Sequence, residues 1–412
     1  MQTSFLYQMM GVADHECTHT EYKHGGSILH IQTRKDKICC PKCGKKDFVY
    51  SGTVTRDIKS LPMGNRPVTL RKTVHRIHCR HCDCTVQEGI PFSKEKCQYT
   101  KRLGRYVQDL CMYMTIKAVA NNLGMSWNTV KDINKERLKR KYGRPDLYGL
   151  RLIGIDEFAV KKGHVYMTIV VDLETGRVVY VGDGKGKDAL DGFWKRLSRS
   201  RCRIEAVSTD LSGAFISAVR EHLPDATLIF DHFHVVKLAN DALDRVRIDT
   251  YKSLDSKGKA SAIKVLRWVL LGNRQQLGSE GADQRLKKAL SVNAELSTSY
   301  YLKEDLRRVW NQADKDSAKT ILHNWIMEAK GSGIRQMKRL ADTIELHSDG
   351  ILAYYDYRIS NGKVECEEMS SGHFDSAAEN NKIKTLKRMA YGFRDDHYFN
   401  LRLLALHDFK YS

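Results

Sequence analysis

LRLIGIDEFAVKKGHVYMTIVVDLETGRVVYVGDG, residues 150–184, holds three apolar, β-branched blocks separated by two short polar turns. LRLIGID, HVYMTIVVDLETG and RVVYVGDG each have the length and composition of a strand, and KKGH and LETG supply the glycine-bearing punctuation between them. The spacing predicts three consecutive strands in an antiparallel meander. Beyond it the pattern gives a helix near 188–197, a strand near 204–208, a helix over 211–223 and the strand TLIFD. The fold class expected is α/β, with the order β-β-β-α-β-α-β.

Two acids end apolar strands in that order: Asp156 after LIGI and Asp210 after EAVST. On adjacent strands they would bring two carboxylates to the same divalent ions, and phosphoryl transfer assisted by two ions needs such hard oxygen ligands. Each acid also has a bland reading, Asp210 as a cap of the following helix and Asp156 as a turn residue. Asp231, His232 and His234 in DHFH read as hydrogen-bonding support behind the acids, Asp231 and His234 foremost. Glu157 is expected on the opposite face of its strand from Asp156.

The chain has 412 residues and a formal net charge of +20, with 42% hydrophobic residues. That length accommodates two or three domains, and that charge attracts polyanions. The charge is uneven: residues 1–150 hold 27 Lys and Arg against 13 Asp and Glu, a net +14, leaving +6 for the rest. No run approaches the roughly 18 apolar residues of a membrane span, and the first residues lack the pattern of a signal peptide. The expected compartment is the cytoplasm, and most of the eleven cysteines read as metal ligands rather than disulfides.

Cys40-Pro-Lys-Cys43 and Cys79-Arg-His-Cys82 are paired C-x2-C knuckles. Each presents two thiolates to one tetrahedral zinc, and four thiolates make a structural rather than a catalytic site. Cys39, His81 and Cys84 are spare neighbours that leave the ligand register open by one or two positions. VTLRKTVHRIHC alternates like a strand leading into the second knuckle, and Arg56, Lys59, Arg66, Arg71, Lys72, Arg76 and Arg80 are candidate phosphate contacts.

From Tyr99 the pattern turns helical. TIKAVANNLGMSWNTVKDINKERLKRK reads as a helix, a turn at Gly124 and a second helix from near Ser126. In a helix-turn-helix, Ala120 marks the helix crossing and Leu123 and Val130 fill the core. Trp127, Asn128, Thr129 and Lys131 would face the DNA major groove.

With these segments, GIDEFAVKKGHVYMTIVVDLETG, STDLSGAF, DHFHVVKLANDALDRVR and the late SNGKVE and NNKIKTLKRMAYGFRDDHYFNLRLL stretches resemble the DDE transposases of the ISL3 insertion-sequence family. The resemblance covers nearly the whole chain. It implies an RNase H-like mixed sheet with an all-helical insertion at about 240–350, preceded by a small zinc ribbon and a helix-turn-helix domain. The domains expected are a zinc ribbon over 1–98, the helix-turn-helix over 99–148 and the catalytic domain over 149–412.

In that family Asp156 and Asp210 correspond to the first two catalytic acids, and Glu365 in SNGKVE to the third. CEEMSSGHFDSAAE separates Glu365 from Asn380 and Asn381 where the family runs on directly, so Glu379 is the alternative third acid. Lys384, Lys387, Arg388 and Arg394 would hold backbone phosphates. The resemblance implies Mg²⁺ or Mn²⁺ at the acids, structural Zn²⁺, double-stranded DNA partners in the terminal inverted repeats and the target, and a homo-oligomer on DNA. A sequence-specific DNA-binding protein with an inactive core is the competing reading. Trp268, Trp310 and Trp325 read as core residues of the helical insertion, as do Leu302, Leu306 and Val309.

Overall fold

The computed structural model describes residues 5–23, 25–161, 165–253, 267–271, 284, 286, 287, 290, 291, 293–359, 386 and 395–408. They divide into two compact units. The first comprises Met1–Arg144 with Arg388–Leu401 and Asp408–Ser412, and the second Pro145–Lys387 with Arg402–His407. Among the described residues no helix is long and apolar enough to cross a membrane.

The first unit opens with α1 (Phe5–Met10) and a sheet of β1 (His15–Lys23), β2 (Gly26–Thr33), β3 (Phe48–Lys59), β4 (Val68–Cys79) and β5 (Cys84–Gln87). The strand order is β1-β2-β4-β3, with β5 also paired to β4. Val68–Cys79 alternates inward and outward as its sequence predicts from Val68 through Leu70 to Val74, and the phase then shifts by one residue, so that Ile77 and Cys79 are buried. Leu6, Met10, Leu29, Ile31, Ile58 and Leu70 form one apolar cluster, which places α1 on a single face of the sheet. The same alternation carries Lys72 inside. It is fully buried and bonded to Glu88 at 3.0 Å and to the Thr33 hydroxyl at 2.7 Å, so it is not the phosphate contact its charge suggested.

Three helices follow, α2 (Lys101–Leu110), α3 (Ile116–Leu123) and α4 (Trp127–Tyr142). Each starts at a hydroxyl N-cap, Thr100, Thr115 or Ser126, whose side chain accepts from the backbone N–H three residues on. Gly124 ends α3 in the left-handed conformation at φ 56°, which a side chain would strain. Leu103, Val107, Val119, Ala120, Val130 and Ile133 form the core of the module, with Leu123 packed at its edge.

The second unit is built on β6 (Leu152–Lys161), β7 (Val165–Asp172), β8 (Val178–Asp183), β9 (Ala206–Thr209) and β10 (Thr227–Phe230). The order is β10-β9-β6-β7-β8. β6, β7 and β8 form the expected antiparallel meander, while β9 joins β6 and β10 joins β9 in parallel. Parallel neighbours require crossovers, and α5 (Asp191–Leu197) and α6 (Gly213–His222) supply them. This is an RNase H-like mixed sheet. Ile153, Ile155, Val170, Val179, Phe193, Val207, Phe215 and Val219 pack between these helices and the strands.

After β10 the chain becomes helical: α7 (His232–Ser253), α8 (Arg267–Leu271), α9 (Ala294–Leu306), α10 (Lys315–Gly331), α11 (Arg335–Leu346), α12 (Ser348–Leu352) and α13 (Tyr354–Tyr357). Leu302, Leu306 and Val309 are buried with Leu322, Trp325 and Met337, and Trp310 packs against that cluster. The indole N–H of Trp325 donates to the Leu302 carbonyl at 2.7 Å, so its burial leaves that donor satisfied. The side chain of Trp268 lies outside the described residues.

Candidate active site and DNA-binding module

Pleated-sheet register brings three aspartates of the second unit into one row. The β6–β9 ladder pairs Gly154 with Ser208, so Asp156 and Asp210 each stand two residues further on and point to the same face. The β9–β10 ladder ends at Thr209 and Phe230, which puts Asp231 one step beyond, level with Asp210. The Asp231 backbone N–H still donates to the Thr209 carbonyl, at 3.1 Å. Asp210 and Asp231 thus stand just past the ends of β9 and β10, whereas Asp156 lies within β6, which runs on to Lys161 in pairing with β7 and so does not end at this acid as the sequence suggests.

Asp156 is 8% exposed and Asp231 1%. Burial pushes the Asp156 carboxyl up to about 6; His234 and the Glu157 backbone N–H pull it down, while the charges of Asp231 and Asp210 push it further up. The Glu157 N–H donates to Asp156 Oδ1 at 2.7 Å. Glu157 is itself raised, by burial first and then by Asp210, with Lys185, Lys237 and His234 opposing. Strand alternation separates it from Asp156 in sequence terms, yet it sits in the same field.

Asp210 accepts from the Ser212 N–H at 3.0 Å, which shapes the turn into α6; the N-cap position itself belongs to Ser212. Asp231 does the corresponding work for α7. Its Oδ1 accepts from the Phe233 N–H at 2.9 Å and lies 3.5 Å from His232 Nδ1. A buried carboxyl raised in part by the charges of Asp231 and Asp210 fits a divalent cation, which would relieve the crowding of like charge. Glu365 and Glu379 lie outside the described residues, as do Lys384, Lys387, Arg388 and Arg394.

In the first unit, Cys40, Cys43, Cys79 and Cys82 bring their four sulfurs within 4.8 Å of one another. Cys40 and Cys82 are 3.6 Å apart and Cys43 and Cys79 3.5 Å, close to the ~3.8 Å edge of a tetrahedron with ~2.3 Å metal–sulfur bonds. The Gly44 N–H donates to the Cys40 carbonyl at 2.8 Å with Gly44 at φ 71°, which closes the first knuckle. The Cys43 backbone N–H is the largest influence on the Cys40 thiol, which is held down at about 6. Cys84 Sγ, 3.1 Å from Cys82, pushes the Cys82 thiol up. The register the two knuckles predict is the one that closes, with Cys84 beside it.

On α4, Trp127 and Asn128 are exposed and Thr129 is half-buried. Lys131 is turned to other partners: Asp395 at 3.3 Å and Asp132 at 3.7 Å, with its ammonium 5.7 Å from the Trp127 ring centroid. Lys135 meets the same Asp395 at 2.8 Å, and Asn134 donates to the Tyr398 hydroxyl at 2.8 Å. These partners lie at the start of α14 (Asp396–Leu404) and just before it. Burial favours a neutral Asp395, but Lys135, the Tyr398 N–H and Lys131 outweigh it and hold the carboxyl at about 2. The sequence contains all of these residues, but a contact spanning some 260 positions has no local signature.

An RNase H-like sheet bearing a row of carboxylates across neighbouring strands, in a chain with a four-cysteine knuckle pair and a helix-turn-helix, defines a DDE-type transposase that binds DNA and uses divalent metal. More particularly, the chain belongs to the ISL3 family of transposases. The family's DDE profile, described as "Transposase", matches residues 153–403. "Helix-turn-helix domain of transposase family ISL3" matches 88–137, and "zinc-finger of transposase IS204/IS1001/IS1096/IS1165" matches 36–82.

The transposase for insertion sequence element IS1001 of Bordetella parapertussis is 31% identical, over 92% of this chain and 90% of its own. The transposase for IS1557 of Mycobacterium tuberculosis is 29% identical, over 86% and 82%. Among solved structures, a chain of the Drosophila P element transposase strand transfer complex aligns over 62% of this chain and 76% of its own, with TM-score 0.34 and 12% identity, a likeness too slight to carry an argument.

Proposed function

We propose that this transposase binds the terminal inverted repeats of its insertion sequence through the first unit and cuts and joins DNA strands at Asp156, Asp210 and Glu365, with Glu379 as the alternative third acid. The division of labour follows residues 1–98, 99–148 and 149–412. The observation that carries the reading is the row of aspartates across neighbouring strands, in which the β6–β9 register brings Asp156 level with Asp210. Two Mg²⁺ or Mn²⁺ ions held by the three acids would activate water and stabilise the charge that develops on phosphorus. Water attacks a phosphodiester in line and the P–O3′ bond breaks, leaving a 3′-OH on the element. That hydroxyl then attacks a target phosphodiester, forming a new P–O3′ bond while the target's own 3′ oxygen leaves.

The chain's remaining groups position this chemistry. Asp231 fixes the first turn of α7 through the Phe233 N–H and keeps His234 within electrostatic reach of Asp156. Trp127, Asn128 and Thr129 would read the major groove with Lys131 beside them, and Lys384, Lys387, Arg388 and Arg394 would hold phosphates. Zn²⁺ would occupy the four thiolates as a staple. The working form is a homo-oligomer on paired DNA ends, in the cytoplasm.

The test is incubation of the full chain with a duplex carrying the element's end and a target duplex, with Mg²⁺ or Mn²⁺ added. A joined product with a new 3′ linkage is expected. Tight, end-specific binding without any cutting would overturn the catalytic part and leave a DNA-binding protein with an inactive core.

A further inference from the structure

We propose that the first unit holds a second transition-metal site, formed by His19, Glu21 and His30 on the outer face of the β1–β2 strand pair and suited to Zn²⁺. His19 and His30 are direct cross-strand partners, and Glu21 lies two residues along β1 from His19, on the same face. The adjoining β2 residues Leu29 and Ile31 point into the core, which leaves His30 on the outer side. The two imidazole rings stack with centroids 3.7 Å apart.

The donor atoms converge. Glu21 Oε1 is 2.8 Å from His30 Nε2 and 3.7 Å from His19 Nε2, and the three ligand atoms all lie within 4.8 Å of one another. A tetrahedral ion with bonds of ~2.0–2.1 Å to nitrogen and oxygen needs its ligands about 3.3 Å apart, a value that the two separations bracket. Among the described residues, this trio and the four knuckle cysteines are the groups whose donors gather so closely.

Neighbouring cations do not fill the position. Lys23 engages the other carboxylate oxygen of Glu21, at 2.8 Å. Arg71, opposite His30 on β4, is spent on Asp57 through two bonds of 2.8 Å. Two imidazoles and one carboxylate suit zinc, cobalt, nickel or copper rather than Mg²⁺ or Ca²⁺, which prefer all-oxygen shells. Three protein ligands leave a fourth position to water. An ion there ties β1, the outermost strand of its sheet, to β2 by side chains as well as by the ladder.

Cobalt substitution of the metal-free full chain tests this, in an Asp156→Asn/Asp210→Asn background so that these acids do not take up ions. Two equivalents are expected. The first shows thiolate-to-cobalt charge transfer from the cysteines, and the second adds d–d absorption without further charge transfer. Adding His19→Gln and His30→Gln removes the second equivalent, and retention of the first shows that the unit is folded. Saturation of the background protein at one equivalent would overturn the proposal. So would a second equivalent that survives both histidine substitutions.

Discussion

Asp156 illustrates how burial and neighbouring charge raise a carboxyl that we propose as a metal ligand. Its carboxyl titrates near 6 against an ordinary 3.8, with burial as the main cause. Between those values the folded chain keeps a proton that the unfolded chain has released, so this group's contribution to stability falls as pH rises through the window. At ~1.4 kcal/mol per unit, the loss totals roughly 3 kcal/mol. A divalent ion binds the ionised form, and the thermal stabilisation given by Mn²⁺ therefore grows between pH 5 and pH 7. Asp156→Asn should abolish both the slope and the stabilisation, and thermal melts across that range are the check; a Mn²⁺ effect independent of pH would refute this role.

Lys72 makes the complementary case in the first unit. Burial lowers its ammonium and its partner Glu88 raises it again; Glu88 also accepts from the His75 backbone N–H at 2.8 Å. Lys72→Met leaves a buried carboxylate without its cation and should cost about 3–5 kcal/mol, measured by denaturant unfolding. Lys72→Met/Glu88→Gln keeps an acceptor for the His75 N–H without the charge and should recover most of that loss.

The helix-turn-helix shows what local sequence specifies well. Hydroxyl caps at Thr115 and Ser126 and the left-handed Gly124 between them are each determined within a few residues. Their effects are correspondingly local. Gly124→Ala should cost about 1–2 kcal/mol because alanine is strained at positive φ, and Ser126→Ala about 1 kcal/mol through the lost cap. Both substitutions should weaken DNA binding in gel-shift titrations, since α4 is displaced or frayed at its N-terminal end.

Part of the acid row is equally legible. The apolar run closing on Asp210 marks the end of β9, and the meander follows from its two turns; the run before Asp156 does not end its strand, because β6 continues to Lys161 in antiparallel pairing with β7. Asp231 reads in sequence only as support, because its place beside Asp210 depends on β9 and β10 pairing across the intervening α6. The pairing of His19 with His30 was likewise invisible: the β1–β2 hairpin carries no conspicuous motif, and its chemistry arises from cross-strand register. Lys72 reads as a surface cation by its charge alone, but the alternation of β4 carries it inside.

At the scale of the whole molecule, the net +14 of residues 1–150 and the carboxylates of the second unit separate two activities that one chain must combine. DNA affinity should fall steeply with salt, since cationic contacts release counterions from the phosphates. Stripping the metal from the four thiolates should abolish end-specific binding along with the fold of the knuckles, whereas Asp156→Asn should leave binding intact; fluorescence-anisotropy titrations at two salt concentrations resolve both effects. The two kinds of metal would thus be distinguishable by what their removal costs.

The most direct measurement is strand cleavage of a duplex bearing the element's end in Mn²⁺, comparing the wild type with Asp156→Asn, Asp210→Asn and Glu365→Gln at protein concentrations that saturate the DNA. The account predicts cutting by the wild type and a loss of at least about 100-fold in each variant, with end binding unchanged. Cutting that persists in Asp156→Asn or Asp210→Asn would contradict the placement of the catalytic centre at this row of aspartates.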